Sequence, residues 1–196
     1  MNYLWILDPG HGRLQPGKCS PLFADGSRFE EWEFNRDIAR RIQARCSALG
    51  IRTWITMPER DVDDALPVRV ARANAMCSES NELPCRFVSI HANAAGNGGW
   101  KPGVTGVECY HYANSAIGRD MATVFQNFLT LRTGWRNRGV KPSNDLYVLR
   151  HTAMPAVLTE SGFFTDPEQA VELMTDPVRQ KIADAHVAAI ILLDKK

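Results

Sequence analysis

Three short apolar runs of the chain end directly at residues that bind metals or move protons. Residues 4–7 lead through Asp-Pro-Gly into His11, residues 86–90 lead into His91, and residues 156–159 lead into Glu160. Because ligands bind beyond the carboxyl ends of the strands in open parallel sheets, we expect these side chains to share one sheet edge. Two histidines and a carboxylate are the usual ligands of a catalytic zinc that keeps a fourth position for water. The pattern predicts a metal site whose third ligand is Glu160 or a residue from elsewhere.

The predicted helix near residues 31–49 offers another carboxylate for this site. At 100° per residue, Glu31 lies about 20° from Ile38 in the apolar stripe, whereas Glu30 and Glu33 lie about 80° and 140° to the other side. A carboxylate on a buried helix face is costly unless it is paired or bound to a metal. Taken alone, Glu31 could instead be a carboxylate favoured by the helix dipole. Asn35, one turn later, either supports a metal ligand by a hydrogen bond or binds a neighbouring loop, and both readings stay open.

Each of these polar residues also has a purely structural interpretation. A lone histidine after a strand is more often hydrogen-bonded within the structure than bound to a metal, and Glu160 alone could cap the next turn. Four such residues at one edge of a sheet favour a site over coincidence. His111, His151 and His186 fit no such pattern and are predicted to be surface or structural residues.

Composition excludes several classes of function. The 196 residues contain 23 Lys and Arg and 22 Asp and Glu, a net charge of +1, which does not fit a nucleic-acid binder. The longest apolar run, residues 187–193, is far shorter than the roughly 20 residues that span a bilayer. The amino terminus lacks the cationic region and cleavage site of a secretory signal, so the protein is expected to stay inside, to leave by another route or to be processed. The length predicts a single domain over residues 1–196.

The five cysteines leave their oxidation state open. Their number is odd and they contain no Cys-x-x-Cys pair, so they indicate neither a zinc ribbon nor a disulfide framework. Cys77 and Cys85 flank a polar loop and either pair in an oxidising compartment or remain free thiols, the latter being favoured.

Alternating apolar runs and helical patterns predict an α/β domain. The predicted fold is a mostly parallel, twisted sheet of about six strands flanked by helices. Ser27 and Glu30 have the spacing of a capping box, and Asp166 and Asp176 each precede a proline as predicted N-caps. The predicted strands are residues 4–7, 52–57, 86–90, 106–111, 146–149 and 156–159, and the predicted helices lie near residues 31–49, 66–76, 117–131, 167–174 and 177–193.

The motifs around these residues resemble the zinc-dependent N-acetylmuramoyl-L-alanine amidases, the peptidoglycan amidase family called amidase type 3. The resemblance runs in family order and covers nearly the whole chain. It rests on Leu-Asp-Pro-Gly-His-Gly at 7–12, Glu31-x-x-x-Asn35, Val-Ser-Ile-His-Ala-Asn at 88–93, Gly-Val-Glu at 106–108, Asn-Arg-Gly-Val-Lys at 137–141, Leu-Tyr-Val-Leu-Arg at 146–150, and Met-Pro-Ala-Val-Leu-Thr-Glu-Ser-Gly-Phe at 154–163.

The resemblance implies a ligand set and a reaction. His11, Glu31 and His91 would bind one zinc ion, and Glu160 would be the catalytic glutamate. The implied reaction hydrolyses the amide between the lactyl group of N-acetylmuramic acid and L-alanine, with zinc activating water and Glu160 moving its proton to the leaving amine. The implied partners are the stem peptide and glycan of peptidoglycan, without nucleic acid. The expected place of action is the cell wall, in the periplasm or outside the cell, with a phage lysin as one route.

Two segments depart from the family pattern. Only 68 residues separate His91 from Glu160, so the long helical insertion that occludes the site of some regulated members is expected to be absent. Residues 13–29 replace a simpler glycine-rich turn.

A run of four basic residues could attract stem-peptide carboxylates, although a solvated loop is the favoured interpretation. The run comprises Arg132, Arg136, Arg138 and Lys141.

Two other functions compete with the amidase. A zinc peptidase or deacylase would use the same ligands on a different amide. A wall-binding module would keep the fold without turnover, but the presence of all four site residues argues against it.

Overall fold

The computed structural model describes residues 2–58, 64–80 and 83–195. These residues form six strands and six helices. The strands are β1 (Leu4–Pro9), β2 (Thr53–Ile55), β3 (Cys85–Asn93), β4 (Val107–Tyr112), β5 (Asn137–Ser143) and β6 (Ala156–Phe163). The helices are α1 (Glu31–Ala48), α2 (Leu66–Glu79), α3 (Ala116–Thr133), α4 (Tyr147–His151), α5 (Pro167–Met174) and α6 (Asp176–Asp194).

The strands form one sheet in the order β2-β1-β3-β6-β4-β5. Strands β2, β1, β3 and β6 are parallel, whereas β4 runs antiparallel to β6 and parallel to β5. The predicted α/β class and mostly parallel sheet are therefore confirmed. Because β1, β3 and β6 run the same way, their carboxyl ends meet at one edge, with His91 opposite Glu160 in the register.

Apolar side chains cover both faces of the sheet, since successive strand residues point to opposite sides. Trp5 and Leu7 face a layer built from α1, α3 and α6. Leu4 and Ile6 face a second layer in which α2 and α4 pack together. None of the described helices is both long and apolar enough to cross a membrane.

The predicted strand at residues 146–149 is wrong, because this segment forms helix α4. The Ser143 hydroxyl accepts hydrogen bonds from the backbone N–H groups of Asp145 and Leu146, which turns the chain out of β5. Val148 and Leu149 are then buried in the layer shared with α2.

Strand β5 was not predicted. It overlaps the basic run, so the expectation that this run is a solvated loop is wrong for Arg138 and Lys141. It is the edge strand of the sheet, and most of its residues are only half-buried. An edge strand of this kind lacks the alternation of apolar and polar residues that identifies a strand in a sequence.

The predicted caps are partly confirmed. Asp166 accepts a hydrogen bond from the N–H of Gln169 and caps α5. The capping box is wrong, because the Ser27 hydroxyl donates to Asp25 and Glu30 pairs with Arg28. The predicted N-cap at Asp176 is wrong, because Asp176 is the first residue of helix α6 and the N-cap is Thr175.

Cys77 and Cys85 form a disulfide with a Cα–Cα distance of 5.8 Å. The favoured expectation of two free thiols is therefore wrong. The bridge joins the last turn of α2 to the first residue of β3. Cys19, Cys46 and Cys109 are free thiols.

Candidate metal centre

Three side chains from separate parts of the chain converge at the carboxyl edge of the sheet. His11 Nε2 lies 3.3 Å and His91 Nδ1 lies 3.0 Å from the same oxygen, Oε1 of Glu31. One ligand atom of each residue lies within 4.8 Å of the other two. We call His11, Glu31 and His91 the triad.

The turn after β1 positions His11. Its φ of 61° is left-handed, a conformation that costs a residue with a side chain on the order of 1–3 kcal/mol. Arg36 and Arg69 hold this backbone in place, because both guanidinium groups donate to the His11 carbonyl, at 2.7 and 2.9 Å. A Cβ on the preceding Gly10 would lie 2.0 Å from the His91 ring, so glycine is required there by close approach.

Glu31 begins helix α1 and is buried, as its angular position predicts, while the side chains of Glu30 and Glu33 are 28% and 57% exposed. Its Oε1 also accepts from the N–H of Ala92 at 3.3 Å. Burial alone would raise the pKa of Glu31, but hydrogen bonds and charge from His11 and His91 outweigh it and bring the pKa to about 2. The residue is therefore an ionised carboxylate over the ordinary pH range.

Polar neighbours orient both imidazoles. His11 Nδ1 is 2.6 Å from Oε1 of Gln15, and His91 Nε2 is 3.1 Å from Oγ of Ser89, whose hydroxyl donates to Asp8. These contacts occupy one nitrogen of each ring and leave the other directed at Glu31. Burial lowers the pKa of His91, which favours the neutral imidazole that binds metals.

Glu160 lies beside the triad rather than within it. It follows a buried segment of β6, and its Oε2 is buried without a hydrogen-bond partner among the described residues. Burial, reinforced by the negative charges of Glu31 and Glu108, raises the pKa of Glu160 well above its usual value. Of the two carboxylates left open by the sequence, Glu31 is the one in contact with both histidines.

Asn35 makes both contacts that the sequence left open. Its amide donates to the Gly10 carbonyl at 3.1 Å and to Oε1 of Glu31 at 3.4 Å. The remaining histidines lie in structural roles: His111 and His186 contact backbone carbonyls, and His151 stacks on Tyr147.

Sequence reasoning did not find the residues that orient the two imidazoles. Ser89 and Asp8 give a usable signal, because Ser89 is two residues before His91 on the same face of β3 and Asp8 is its neighbour in the β1 register. Gln15 gives none, since it lies in an irregular loop.

A cleft of about 450 Å³ opens next to the triad. His11 and His91 form part of its wall, together with Arg69. Larger apolar side chains line the other parts of the cleft, namely Leu66 of α2, Leu146, Tyr147 and Val148 at α4, and Leu158 of β6.

The fold and the triad define an α/β protein with a histidine- and carboxylate-lined site at the carboxyl edge of its sheet. The profile of the N-acetylmuramoyl-L-alanine amidase family matches residues 6–191. The chain belongs to this family.

Individual relatives agree with this assignment. The chain is similar to the N-acetylmuramoyl-L-alanine amidase LytC of Bacillus subtilis, with 33% identity over 92% of this chain and 33% of LytC. It is similar to the endolysin of Bacillus phage SPP1, with 32% identity over 100% of this chain and 69% of the endolysin. The chain thus spans only a third of LytC.

The fold is also that of solved amidase structures. A crystal structure of N-acetylmuramoyl-L-alanine amidase from Clostridium difficile 630 aligns with a TM-score of 0.83 at 27% identity, over 100% of this chain and 98% of that one. The amidase AmiC2 of Nostoc punctiforme aligns with a TM-score of 0.81 at 28% identity, over 99% and 98%.

Proposed function

We propose that this chain hydrolyses the amide bond between N-acetylmuramic acid and L-alanine in peptidoglycan, using one zinc ion bound by His11, Glu31 and His91. The observation that carries the proposal is the convergence of these three side chains beside the unpartnered carboxyl group of Glu160. Family membership and the relatives named amidase or endolysin support the substrate and action on the cell wall. Residues 1–196 would form the catalytic domain.

The donor set fits zinc. Two imidazole nitrogens and one carboxylate oxygen are the ligands of catalytic zinc sites, which keep a further position for water or substrate. The ligands are also oriented as such sites require, because Gln15 and Ser89 bind the second nitrogen of His11 and His91. A zinc ion bound here would polarise the scissile carbonyl and lower the pKa of a water molecule.

Glu160 would move the proton of the reaction. Its carboxylate accepts a proton from the attacking water, and its carboxylic acid donates that proton to the amine nitrogen as the peptide leaves. The raised pKa of Glu160 suits the second step, because a buried carboxyl group near two other carboxylates holds a proton firmly. Its free Oε2 leaves one oxygen available to the substrate.

The cleft would be open to substrate without an activator. The longest helix between His91 and Glu160 is α3, which packs against α6 on the sheet face opposite α2 and α4. This helix belongs to the core and does not cover the triad.

Metal analysis and digestion of purified sacculi test the proposal with the parent protein and Glu160→Gln. We expect one zinc per chain in both, because Glu160 is not a ligand. Only the parent should release peptides that begin with L-alanine, since loss of a general acid–base costs about 10²–10⁴-fold in rate.

Other outcomes identify the competing functions. Cleavage within the stem peptide would replace the proposal by a peptidase with the same ligands. Pelleting with cell walls without release of peptide, even with added zinc, would replace it by a wall-binding module. A folded parent protein without bound zinc would overturn the metal assignment.

A further inference from the structure

A row of histidines, carboxylates and cations crosses the sheet from the triad to the edge strand β5. The order β1-β3-β6-β4-β5 places first His11 and His91, then Glu160 on β6, then Glu108 on β4. Two cations of β5 come last. Beyond the two histidines this row lies outside the cleft, whose lining includes neither Glu160 nor any residue of β4 or β5.

Glu108 lies directly opposite Glu160 in the antiparallel register of β4 and β6. Side chains of directly opposed residues share one face of a sheet, and like charges there are destabilising. Four donors compensate Glu108, two of which are neutral: the Asn93 amide at 2.7 Å and the Tyr110 hydroxyl at 2.6 Å, both on Oε1.

The other two donors are cations on Oε2 of Glu108, namely Arg138 Nε at 2.9 Å and Lys141 Nζ at 2.5 Å. We call Glu108, Arg138 and Lys141 the basic cluster. The two positive charges exceed the single negative charge of the carboxylate, so the basic cluster carries a net positive charge. Arg132 and Arg136 belong to the same basic run of the sequence. In the part of the chain described, they contact neither Glu108 nor Glu160.

Lys141 remains accessible while Glu108 holds it. Its side chain is 39% exposed, against 4% for Glu108. An ammonium group has three N–H donors, and among the described residues Glu108 is the one hydrogen-bond partner of Lys141 Nζ. The lysine is therefore fixed by a buried carboxylate and has donors left for an anion.

The direction of the reaction assigns this cluster to one half of the substrate, an inference that rests on the proposed function. Glu160 donates its proton to the leaving amine, so the leaving peptide extends from Glu160. The cleft is lined beside the triad by Gly10 and Arg69 and farther along by α4 and Leu158 of β6, but by no residue of β4 or β5. The acyl half of the substrate then faces the cleft with its apolar wall, and the peptide half faces β4 and β5.

We propose that Lys141, fixed by Glu108 and assisted by Arg138, binds a carboxylate of the leaving stem peptide and selects peptides in which that carboxyl group is free rather than amidated. A cation held by a buried carboxylate is positioned in advance, so binding an anion costs little ordering of the side chain. A role confined to neutralising Glu108 would give no preference between the two forms of peptide.

The experiment uses two synthetic N-acetylmuramoyl peptides that differ only in whether the α-carboxyl group of the second residue is free or amidated. Values of kcat/KM are measured for the zinc-loaded parent, Lys141→Met and Lys141→Arg. Lys181→Met is the matched control, because Lys181 is exposed on α6. Near-ultraviolet circular dichroism and bound zinc establish that each variant is folded and loaded.

We expect the parent to prefer the free carboxylate by about tenfold, the size of one charge-assisted hydrogen bond. Lys141→Met should lose that preference through a higher KM, Lys141→Arg should largely keep it, and Lys181→Met should match the parent. Equal cleavage of both peptides by the parent, or an unchanged preference in Lys141→Met, would overturn this inference and leave the amidase reaction standing. Cleavage of neither peptide nor of sacculi by the zinc-loaded parent would overturn the amidase reaction itself and the inference with it.

Discussion

At the scale of single residues, the geometry of the triad depends on neighbouring residues outside it. The left-handed backbone of His11 is held by two guanidinium groups, and the histidine rings approach to a centroid distance of 4.8 Å across the space left by Gly10. Asn35 joins the two halves of this arrangement, because its one amide group contacts the β1 turn and the Glu31 carboxylate. These groups fix the positions of the three side chains of the triad relative to one another.

Replacing Asn35 by alanine should weaken zinc binding without unfolding the chain. The variant loses the amide that links Gly10 to Glu31, and loss of such outer contacts typically costs 10–100-fold in metal affinity. Zinc affinity is measured by competition with a chelator of known affinity. Asn127→Ala, at an exposed position of α3, is the matched control and should bind zinc as the parent does. Equal affinities of Asn35→Ala and the parent would show that Asn35 serves packing alone.

The triad and Glu160 were predictable from sequence, but most of the residues that hydrogen-bond to them were not. Strand ends and helical angle identify His11, His91, Glu160 and Glu31, because burial and periodicity decide where those side chains point. The basic cluster was not predictable, since its cations meet Glu108 only when β5 pairs with β4.

At the scale of elements, helix α6 is held to the sheet by a buried histidine. His186 contacts the Ile182 carbonyl through Nδ1, at 2.8 Å, and the Thr159 hydroxyl of β6 through Nε2, at 3.0 Å. The ring also lies 5.6 Å from that of Phe125 on α3. A neutral imidazole satisfies both polar contacts, with Nδ1–H donating and Nε2 accepting.

This histidine should make the metal-free protein less stable in mild acid. Burial lowers the pKa of His186 from 6.5 to about 4, so between these values the unfolded chain binds a proton that the folded chain does not. Stability therefore falls as the pH drops below 6.5, by about 2 kcal/mol between pH 7.5 and pH 5, and the loss levels off near pH 4. Urea unfolding of the metal-free parent and of His186→Gln at both pH values measures the difference. A parent that loses no more stability than His186→Gln would contradict this assignment.

The sequence indicates whether a segment is a strand or a helix more clearly than it indicates the direction of a strand. Strands β1, β3 and β6 are recognisable because they are apolar runs buried on both faces. Helix α4 resembles such a run, but its two buried residues are adjacent and its preceding turn is set by Ser143. The reversal of β4 has no counterpart in sequence, because alternation of apolar and polar residues is the same for parallel and antiparallel strands.

At the scale of the whole molecule, the sheet separates the site from the disulfide. The triad lies at the carboxyl ends of the parallel strands, while Cys85 is the first residue of β3. The bridge fixes the carboxyl end of α2, and near the amino end of that helix Arg69 donates to the His11 carbonyl. One helix thus connects the disulfide to the backbone of His11.

Reducing this disulfide should lower the stability of the whole chain. Cys77 and Cys85 are separated by 8 positions, and a bridge closing a loop of that size removes unfolded-state entropy worth about 2.5 kcal/mol. Urea unfolding of the metal-free protein with and without a phosphine reductant measures the loss. The double variant Cys77→Ser, Cys85→Ser should unfold as the reduced parent does and should not respond to reductant, because the remaining cysteines are free thiols. Coincident unfolding curves for the oxidised and reduced parent would instead mean that packing between α2, β3 and α4 already restrains this segment, so that the bridge adds no stability of its own.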